Sequence, residues 1–357
     1  MENEFFSKRR IAVIGGGLAG MFVAARLCQD GHQVRLFEDQ RDGAASQAAA
    51  GMFNVITGRF GALTWEADTL LAGIHRFLDA PDFSSLKRFY HFLPIYRPFL
   101  DIGEYNQWLG RCADSRYEAY ARFQEGPVGN PHVYNPLGGI FITPCGWCDI
   151  PGLIEGMREL LSARFDFQWI KEPVREAGLS FSDKKISSDP EPFDDWILCP
   201  GAWAAEWDLC KEMKIIPNKG ETLVLESDDL DLDFIVSRNG YLLPLGGGRF
   251  VAGSTYENRF EHLHPTEAGK AVVLEHIGAN VKAPFRILTH RSGLRPTTPD
   301  RRPVIGTHPE FNFIHLVGGF GTKGVLLSPW VSEQVRDFFR TGNWCLPDAV
   351  RMGRFRR

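Results

Sequence analysis

The feature that most constrains this chain is a glycine-rich turn near its N-terminus. A β-branched run, Ile11 to Ile14, leads into the pattern G-x-G-x-x-G at residues 15–20, and an apolar helix follows as far as Leu27. Such a run is typical of a buried parallel strand. A second apolar run, residues 34–37, ends at Glu38. This order of strand, turn, helix and strand predicts a Rossmann-like unit that binds a dinucleotide.

Each residue of this turn fits a role in dinucleotide binding. Gly15 permits the tight turn, Gly17 lets the backbone approach a pyrophosphate, and Gly20 lets the helix pack closely on the strand. The helix N-terminus presents free N–H groups and a partial positive charge to the phosphates. Glu38 is placed to accept hydrogen bonds from a ribose hydroxyl.

A second G-x-G-x-x-G, with glycines at 319, 321 and 324, follows an apolar strand over 313–317 and precedes a helix to about Phe339. A second nucleotide-binding unit needs a further strand that ends in an acidic residue, and the chain ends first. We therefore expect this helix to point its N-terminus at the same cofactor as the first turn. A flavin ring gathers negative charge at its C2 carbonyl on reduction, and a helix dipole stabilises such charge. The dinucleotide is therefore expected to be FAD.

Length and composition are those of a globular enzyme. The 357 residues suffice for one large or two intertwined domains, and the net charge of −4 argues against a general nucleic-acid coat protein. The basic C-terminal residues Arg351, Arg354, Arg356 and Arg357 are interpreted as a solvated, frayed tail. No signal or membrane-spanning segment is expected, because glycines interrupt the apolar stretch from Ile11 to Cys28.

The cysteine and histidine residues predict neither disulfides nor a metal site. Seven cysteines are an odd number without a regular framework, which indicates reduced thiols in a cytoplasmic protein. Cys145 and Cys148 form a C-x-x-C without a second pair, so we expect a structural role. His262 and His264 have no obvious third ligand, and His315 lies in an apolar run that favours the core.

Five stretches resemble segments of the D-amino-acid-oxidase-type flavoproteins, the family of glycine oxidase and sarcosine oxidase. They are ASQAAAGMFN (45–54), WILCPGAWAAEW (196–207), IIPNKGETLVLE (215–226), SGLRPTTPDRRPVIG (292–306) and GGFGTKGVLLSPW (318–330). The resemblance covers most of the chain in order, and it fails between about Pro81 and His132.

The resemblance implies an α/β fold in which a Rossmann-like FAD-binding domain of the glutathione-reductase type carries an inserted α+β substrate domain built on an antiparallel sheet. The FAD-binding domain is expected over 1–80, 134–217 and 284–357, and the substrate domain over 81–133 and 218–283. Within the latter, residues 234–257 predict consecutive antiparallel strands with turns at 239–240 and 246–248. Residues 81–131 predict helices that cover the pocket.

The resemblance also implies the cofactor site. FAD is expected to bind non-covalently, because no cysteine lies between Lys211 and Asn343, where some relatives attach it. The residues expected to contact FAD are Gly15, Gly17, Leu18, Ala19, Gly20, Glu38, Asp39, Ser46, Ala49, Ala50, Gly51, Met52, Val174, Gly201, Trp203, Arg295, Gly319, Gly321, Thr322, Lys323 and Gly324.

Two residues are implied as catalytic. Arg295 in GLRP matches the arginine that grips the substrate carboxylate in glycine-oxidase-like members, and Tyr241 in NGYLLP falls near a pocket tyrosine. A bidentate arginine would hold the substrate with its C–H bond over the flavin. Thr322 and Lys323 replace an Arg-Asn pair of glycine oxidase, which argues against simple glycine as substrate. No lysine occurs between Arg249 and Thr255, where sarcosine oxidases have one, so the electron acceptor is open.

Three functions fit these features. The first is FAD-dependent oxidation of a C–N bond in an amino acid or N-substituted glycine, with hydride transfer to flavin N5 and hydrolysis of the resulting imine. The second follows from NPLGGIF, NGYLLP, GSTYE, GFGTKGVLLSP and the basic C-terminus, which resemble the oxidase half of the bacterial enzyme that acts on carboxymethylaminomethyl-uridine in tRNA. In that case tRNA would be a partner. The third is a flavoprotein subunit that passes electrons to another chain. The oligomeric state does not follow from the sequence.

Overall fold

A computed structural model describes residues 7–58, 60–186, 189 and 191–356 of the chain. The helices are α1 (Leu18–Gln29), α2 (Ala45–Ala48), α3 (Ala67–Asp79), α4 (Ile102–Cys112), α5 (Ser115–Glu118), α6 (Ile150–Arg164), α7 (Glu267–Gly278) and α8 (Gly324–Thr341). Short 3-10 helices span Ser84–Phe89, Glu176–Gly178, Gly201–Glu206, Asp208–Met213 and Asp348–Val350.

Among the described residues, the strands form two main sheets, one three-stranded sheet and two short pairs. In chain order they are β1 (Arg10–Ile14), β2 (Gln33–Phe37), β3 (Met52–Phe53), β4 (Ile56–Thr57), β5 (Ala62–Leu63), β6 (Tyr90–Phe92), β7 (Ile95–Pro98), β8 (Ala121–Glu125), β9 (Gly138–Ile142), β10 (Gly146–Cys148), β11 (Phe167–Ile170), β12 (Leu179–Ser180), β13 (Lys185–Ile186), β14 (Asp195–Leu198), β15 (Ile216–Glu226), β16 (Ile235–Ser237), β17 (Tyr241–Gly246), β18 (Arg249–Gly253), β19 (Arg286–Thr297), β20 (Val304–Thr307) and β21 (Ile314–Gly318).

The first sheet has the order β11-β2-β1-β14-β21-β20 within the described residues. Its neighbours pair in parallel except β20 and β21, which are antiparallel. The β-branched run at the start of the chain lies at its centre as β1, and residues Ile11 to Val13 are fully buried. The predicted strand, turn, helix and strand are therefore confirmed.

Two helices pack together over this sheet. In α1, ten of the twelve residues are buried, which explains why its sequence is apolar on every side. It packs against α8, the helix that follows β21, and against α6. The helix predicted after the second glycine pattern is thus confirmed as α8, and its N-terminus lies beside that of α1.

The second sheet has the order β19-β15-β18-β17-β16-β7-β9-β8 within the described residues. Its pairs are antiparallel except β16 with β7. The strands predicted over residues 234–257 are β16, β17 and β18, and their turns lie where predicted. Asn239 and residues 246–248 adopt positive φ, as tight turns require.

The fold class is confirmed, and the division into two domains stays a prediction. Two strands from segments that we assigned to the FAD-binding domain, β9 and β19, pair within the second sheet. The prediction of helices over 81–131 is wrong in part, because β6, β7 and β8 lie there alongside α4 and α5. Strand β7 follows Pro94, is four residues long and ends at Pro98, and so short a run does not show alternation.

The C-terminal segment packs on the protein surface. The Met352 N–H donates to the Ile305 carbonyl at 2.8 Å, and Met352 packs with Phe355 against the core beside β14 and β21. Arg354 pairs with Asp300 at 2.9 Å and Arg356 with Glu212 at 2.9 Å. The interpretation as a frayed tail is therefore wrong over 351–356, although the Arg351 and Arg356 side chains are exposed, and Arg357 lies outside the described residues.

The C-x-x-C pair is buried around β10, just before α6. Cys145 and Cys148 are both free thiols, and burial raises the pKa of Cys145 to about 12. A protonated, buried thiol is a poor nucleophile, which favours the structural role. Across the described ranges, the structure contains no helix with the length and apolar character needed to cross a bilayer.

Candidate active site

The first glycine turn is closed so tightly that side chains do not fit. The Gly15 N–H donates to the Phe37 carbonyl at 2.8 Å, and Gly15 has φ +116°. A Cβ on Gly15 would lie 2.2 Å from the Cys199 carbonyl oxygen, and one on Gly20 would lie 1.9 Å from the Gly15 carbonyl oxygen. Gly17 precedes α1 as its N-cap. The N–H groups of Leu18 and Ala19 thus belong to the first turn of the helix, as the pattern predicts.

Glu38 lies at the end of β2 and is held by two residues that the sequence reasoning missed. Its Oε2 accepts hydrogen bonds from Arg158 at 2.7 Å and from the Trp169 indole at 3.0 Å. Arg158 stacks on Trp169, with its guanidinium carbon 3.7 Å from the ring centroid. Oε1 faces the glycine turn, since a Cβ on Gly16 would lie 2.7 Å from it. Asp39, the next residue, pairs with Arg41 and Arg175.

The segment around α2 connects the two sheets. The Thr222 hydroxyl donates to the Ala48 carbonyl at 3.0 Å, and the Leu294 N–H donates to the Gly43 carbonyl at 2.8 Å. Gly51 has φ +72°, and a Cβ there would lie 1.9 Å from the Cys148 carbonyl oxygen.

The other predicted residues of this segment lie along the same path. A Cβ on Gly17 would lie 3.2 Å from the Ser46 hydroxyl, so α2 passes the N-terminus of α1. Ala49 is exposed, Ala50 is half-buried, and Met52 pairs with Trp147 between β3 and β10.

The second glycine loop lies beside the first. A Cβ on Gly324 would lie 3.1 Å from Leu18 Cδ1, so the N-termini of α8 and α1 are neighbours. Gly319 and Gly321 have positive φ, and the Gly321 N–H donates to the Pro296 carbonyl at 2.9 Å. The prediction that the two ends of the chain meet at one place is therefore confirmed.

Thr322 and Lys323 stand at the entrance to α8. Thr322 is exposed, and Lys323 is half-buried as the N-cap residue. Burial lowers the pKa of Lys323, and the nearby charges of Arg301 and Arg302 lower it further. The N-terminus of α8 therefore lies near three cationic side chains, Lys323 in its own loop and Arg301 and Arg302 before β20.

Arg295 projects from β19 onto a flat surface made by Gly220 of β15. A Cβ on Gly220 would lie 2.0 Å from Arg295 Nη2. Nη1 donates to Asn218 Oδ1 at 2.8 Å and to the Thr255 carbonyl at 3.1 Å, and Nη2 donates to the Ser254 hydroxyl at 2.8 Å. The residues on either side of Arg295 make backbone hydrogen bonds to two other segments. Leu294 is bonded to the α2 segment, and Pro296 is bonded to the second glycine loop.

Tyr241 and Tyr256 lie beside this guanidinium. The Arg295 guanidinium carbon is 4.2 Å from the centroid of the Tyr256 ring, and the Tyr256 residue is 65% exposed. A Cβ on Gly253, the partner of Tyr241 across the sheet, would lie 2.8 Å from the Tyr241 hydroxyl. Burial raises the pKa of Tyr241 well above its ordinary value, while Arg295 opposes the shift. The Tyr241 hydroxyl therefore stays protonated at neutral pH.

The remaining predicted residues surround the carboxyl ends of the first sheet. Val174 is buried in the same core as Ile14 and Phe37. Gly201, with φ +63°, begins the 3-10 helix after β14. Trp203 is half-buried in this helix, with the Arg41 guanidinium 5.7 Å from its ring.

Comparison with known proteins agrees with this architecture. The sequence matches the family described as DAO, FAD dependent oxidoreductase, over residues 10–337. The chain belongs to this family. It is therefore an FAD-dependent oxidoreductase, and FAD is its cofactor.

Individual relatives within the DAO family are distant in sequence. Glycine oxidase of Bacillus subtilis is 29% identical, with 91% of each chain covered. Glycine oxidase of Pseudomonas aeruginosa is 25% identical, with 90% of this chain and 92% of that protein covered.

Solved structures match the fold over nearly the whole length. The glycine oxidase of Geobacillus kaustophilus has a TM-score of 0.80 at 19% identity and covers 96% of this chain and 98% of its own. The iminodiacetate oxidase of Chelativorans has a TM-score of 0.79 at 20% identity and covers 96% of this chain and 100% of its own.

Several residues of this site were not predicted from the sequence. Arg158 and Trp169 lie more than a hundred residues from Glu38 in the sequence, so no local pattern links them. Asn218 and Tyr256 belong to stretches that we quoted for the resemblance, NKGE and GSTYE. Their positions beside Arg295 depend on the pairing of β15 with β19, which could not be predicted from the sequence.

Proposed function

We propose that this DAO-family enzyme oxidises the C–N bond of an amino acid or an N-substituted glycine, with the substrate carboxylate held by Arg295. The observation that supports this most strongly is the position of the Arg295 guanidinium. Asn218 and Ser254 hold it over Gly220, and its own strand, β19, is hydrogen-bonded to both the α2 segment and the second glycine loop. The names of the relatives, glycine oxidase and iminodiacetate oxidase, agree with a small amine that carries a carboxylate.

FAD fits the residues that converge here. The close contacts at Gly15 and Gly20 keep side chains out of the turn and leave backbone N–H groups at the N-terminus of α1 for the diphosphate. Glu38, oriented by Arg158 and Trp169, would accept hydrogen bonds from a ribose hydroxyl. The loop 319–324 and the N-terminus of α8 would lie against the flavin ring. The bound cofactor supplies a two-electron acceptor for the C–H bond next to the substrate nitrogen.

The protein's own residues position the substrate. Asn218, Ser254 and the Thr255 carbonyl fix the plane of the Arg295 guanidinium before any substrate binds. Its remaining N–H groups can donate to a carboxylate, and a protonated Tyr241 hydroxyl can donate to the same anion. If the amine arrives neutral, the chain does not have to supply a base, and orientation becomes its main contribution.

Anaerobic reduction of the bound FAD tests this proposal. The purified holoenzyme would be mixed with a panel of amino acids and N-alkylglycines while its visible absorbance is recorded. We expect at least one carboxylate-bearing amine to bleach the flavin, and the same amine with its carboxylate replaced by an amide to do so far more slowly. Failure of every amine in the panel to reduce a correctly loaded enzyme would refute the proposal.

The two other functions have less support. The ion pairs of Arg354 and Arg356 and the names of the relatives give no support to tRNA as a partner. A role as an electron-passing subunit would appear as slow reoxidation by oxygen. The cytoplasmic location stays a prediction. The nearby buried Lys219 does not supply a cation to the site, because it points to the opposite face of β15 and pairs with Glu221 at 2.8 Å.

A further inference from the structure

The Arg295 guanidinium lies flat against the backbone of Gly220. A Cβ on Gly220 would lie 2.0 Å from Nη2, 2.2 Å from Cζ and 2.3 Å from Nη1 of Arg295. Because these three distances are nearly equal, the plane of the guanidinium faces the glycine. One face of this cation is therefore covered by a residue that has no side chain, and that face is closed to a ligand.

The other face of the guanidinium is covered by Tyr256. The Arg295 Cζ lies over the Tyr256 ring, 4.2 Å from the ring centroid, which is within the range of a cation–π contact. Since Gly220 fills the first face, the ring lies against the second. Among the residues that the structure describes, the Tyr256 hydroxyl has no hydrogen-bond partner, so the contact with Arg295 is what orients the ring.

The backbone on both sides of Tyr256 is anchored to β15. The Glu257 N–H donates to the Lys219 carbonyl, and the Lys219 N–H donates to the Glu257 carbonyl, each at 2.9 Å. The Glu221 N–H donates to the Thr255 hydroxyl at 2.9 Å. The Tyr256 residue is nevertheless 65% exposed. The position of the ring is therefore set by its own backbone and does not depend on burial in the core.

One edge of the Arg295 guanidinium keeps free donors. Nη1 donates to Asn218 Oδ1 at 2.8 Å and to the Thr255 carbonyl at 3.1 Å, so both of its N–H groups are used. Nη2 donates one N–H to the Ser254 hydroxyl. Within the described part of the chain, the Nε N–H and the second Nη2 N–H have no hydrogen-bond partner. Both lie in the guanidinium plane, where a carboxylate can accept one bond with each oxygen.

We infer that Tyr256 is a positioning residue for the substrate carboxylate and acts through Arg295. This inference rests on the proposed function, in which Arg295 binds that carboxylate. With Gly220 on one face and Tyr256 on the other, the anion reaches the cation in the guanidinium plane, and the ring keeps water from one side of the ion pair. Exclusion of water strengthens such a pair. Loss of the ring should therefore weaken carboxylate binding and leave the chemistry at the C–N bond nearly unchanged.

Binding of an unreactive carboxylate to the FAD-loaded enzyme tests this inference. Methoxyacetate resembles N-methylglycine but carries oxygen in place of nitrogen, and the change in flavin absorbance gives its Kd. We expect Tyr256→Leu to raise this Kd by about three- to tenfold, the range for a cation–π contact. Tyr256→Phe keeps the ring and should stay within about twofold of the unmodified enzyme. Tyr134→Leu is the matched control, because Tyr134 is 60% exposed and lies beside Asn280, just after α7.

The rate of anaerobic flavin reduction separates positioning from catalysis. With the amine that reduces the flavin fastest, Tyr256→Leu should raise the amine concentration for half of the limiting rate and change that rate by less than about twofold. A lower limiting rate at unchanged affinity would overturn the inference.

Three further results distinguish this inference from the proposed function. If Tyr256→Leu binds methoxyacetate as tightly as Tyr134→Leu does, the inference is wrong while the proposed function stands. The same holds if Tyr256→Phe loses as much affinity as Tyr256→Leu. If no amine reduces the flavin of the unmodified enzyme, the proposed function itself fails.

Discussion

At the scale of single residues, Arg295 is oriented before any substrate arrives. Its guanidinium donates to Asn218, Ser254 and the Thr255 carbonyl, and it stacks on Tyr256. A planar, pre-oriented guanidinium loses little conformational freedom when it binds a carboxylate. Lysine cannot reproduce this geometry, since it presents a single flexible ammonium.

Replacement of Arg295 should therefore weaken binding of the substrate carboxylate. We expect Arg295→Met to lower kcat/KM for carboxylate-bearing amines by about 100-fold or more, and Arg295→Lys to recover only part of this loss. Steady-state kinetics on the FAD-loaded protein measures it. Arg286→Met is the control, because Arg286 lies at the other end of β19 and is exposed. Unchanged kcat/KM in Arg295→Met would remove Arg295 from the substrate site.

At the scale of elements, the site depends on two helices that begin side by side. The start of α1 requires glycine at 15 and 20 because their neighbours are backbone atoms that cannot move aside cheaply. The contact between Leu18 and Gly324 then fixes the start of α8 relative to α1. A substitution in the first turn should consequently weaken the binding of FAD.

Gly20→Ala is expected to raise the Kd for FAD by about tenfold or more, because the added Cβ would meet the Gly15 carbonyl oxygen at 1.9 Å. Titration of the FAD-free protein, followed by flavin fluorescence, measures this Kd. Gly278→Ala provides the comparison, since a Cβ at that helical glycine has nothing within 4 Å. Equal affinities in the two variants would mean that the turn does not bind the diphosphate.

The elements predicted correctly are those with local signals. Three features were predicted from the residues of a single segment: the glycine patterns, the β-branched run of β1 and the Asn239-Gly240 turn. The pairing of β9 and β19 within the second sheet, and the stacking of Arg295 on Tyr256, depend on contacts between distant segments. No periodicity within one segment encodes such a partner, so these features came only from the structure.

At the scale of the whole molecule, Asp195 joins three parts of the first sheet. It lies on β14, contacts His315 of β21 at 3.2 Å and pairs with Arg9 before β1 at 2.9 Å. Burial opposes the ionisation of Asp195, but the hydrogen bonds from His315 and Arg9 outweigh it and hold its pKa below the ordinary value of 3.8. Its stabilising effect is therefore complete above that value and is lost as the pH falls through the lower pKa of the folded state.

We expect Asp195→Asn to lower the free energy of unfolding at neutral pH by about 1–3 kcal/mol, because the buried Asp195 loses charge-assisted hydrogen bonds while its partner Arg9 remains partly exposed to water. The difference from the unchanged protein should shrink as the pH falls below about 4. Urea unfolding at a series of pH values measures both effects. Asp229→Asn, at an exposed aspartate, should match the unchanged protein throughout. A difference that stays constant with pH would show that charge on Asp195 is not the cause.

The most direct test of the account is the anaerobic visible spectrum of the purified protein during titration with a carboxylate-bearing amine. If the two glycine loops hold one flavin over a substrate gripped by Arg295, the protein will be yellow with one FAD per chain, and the amine will bleach it. A folded, colourless protein that does not take up added FAD would contradict the joint role of the two loops.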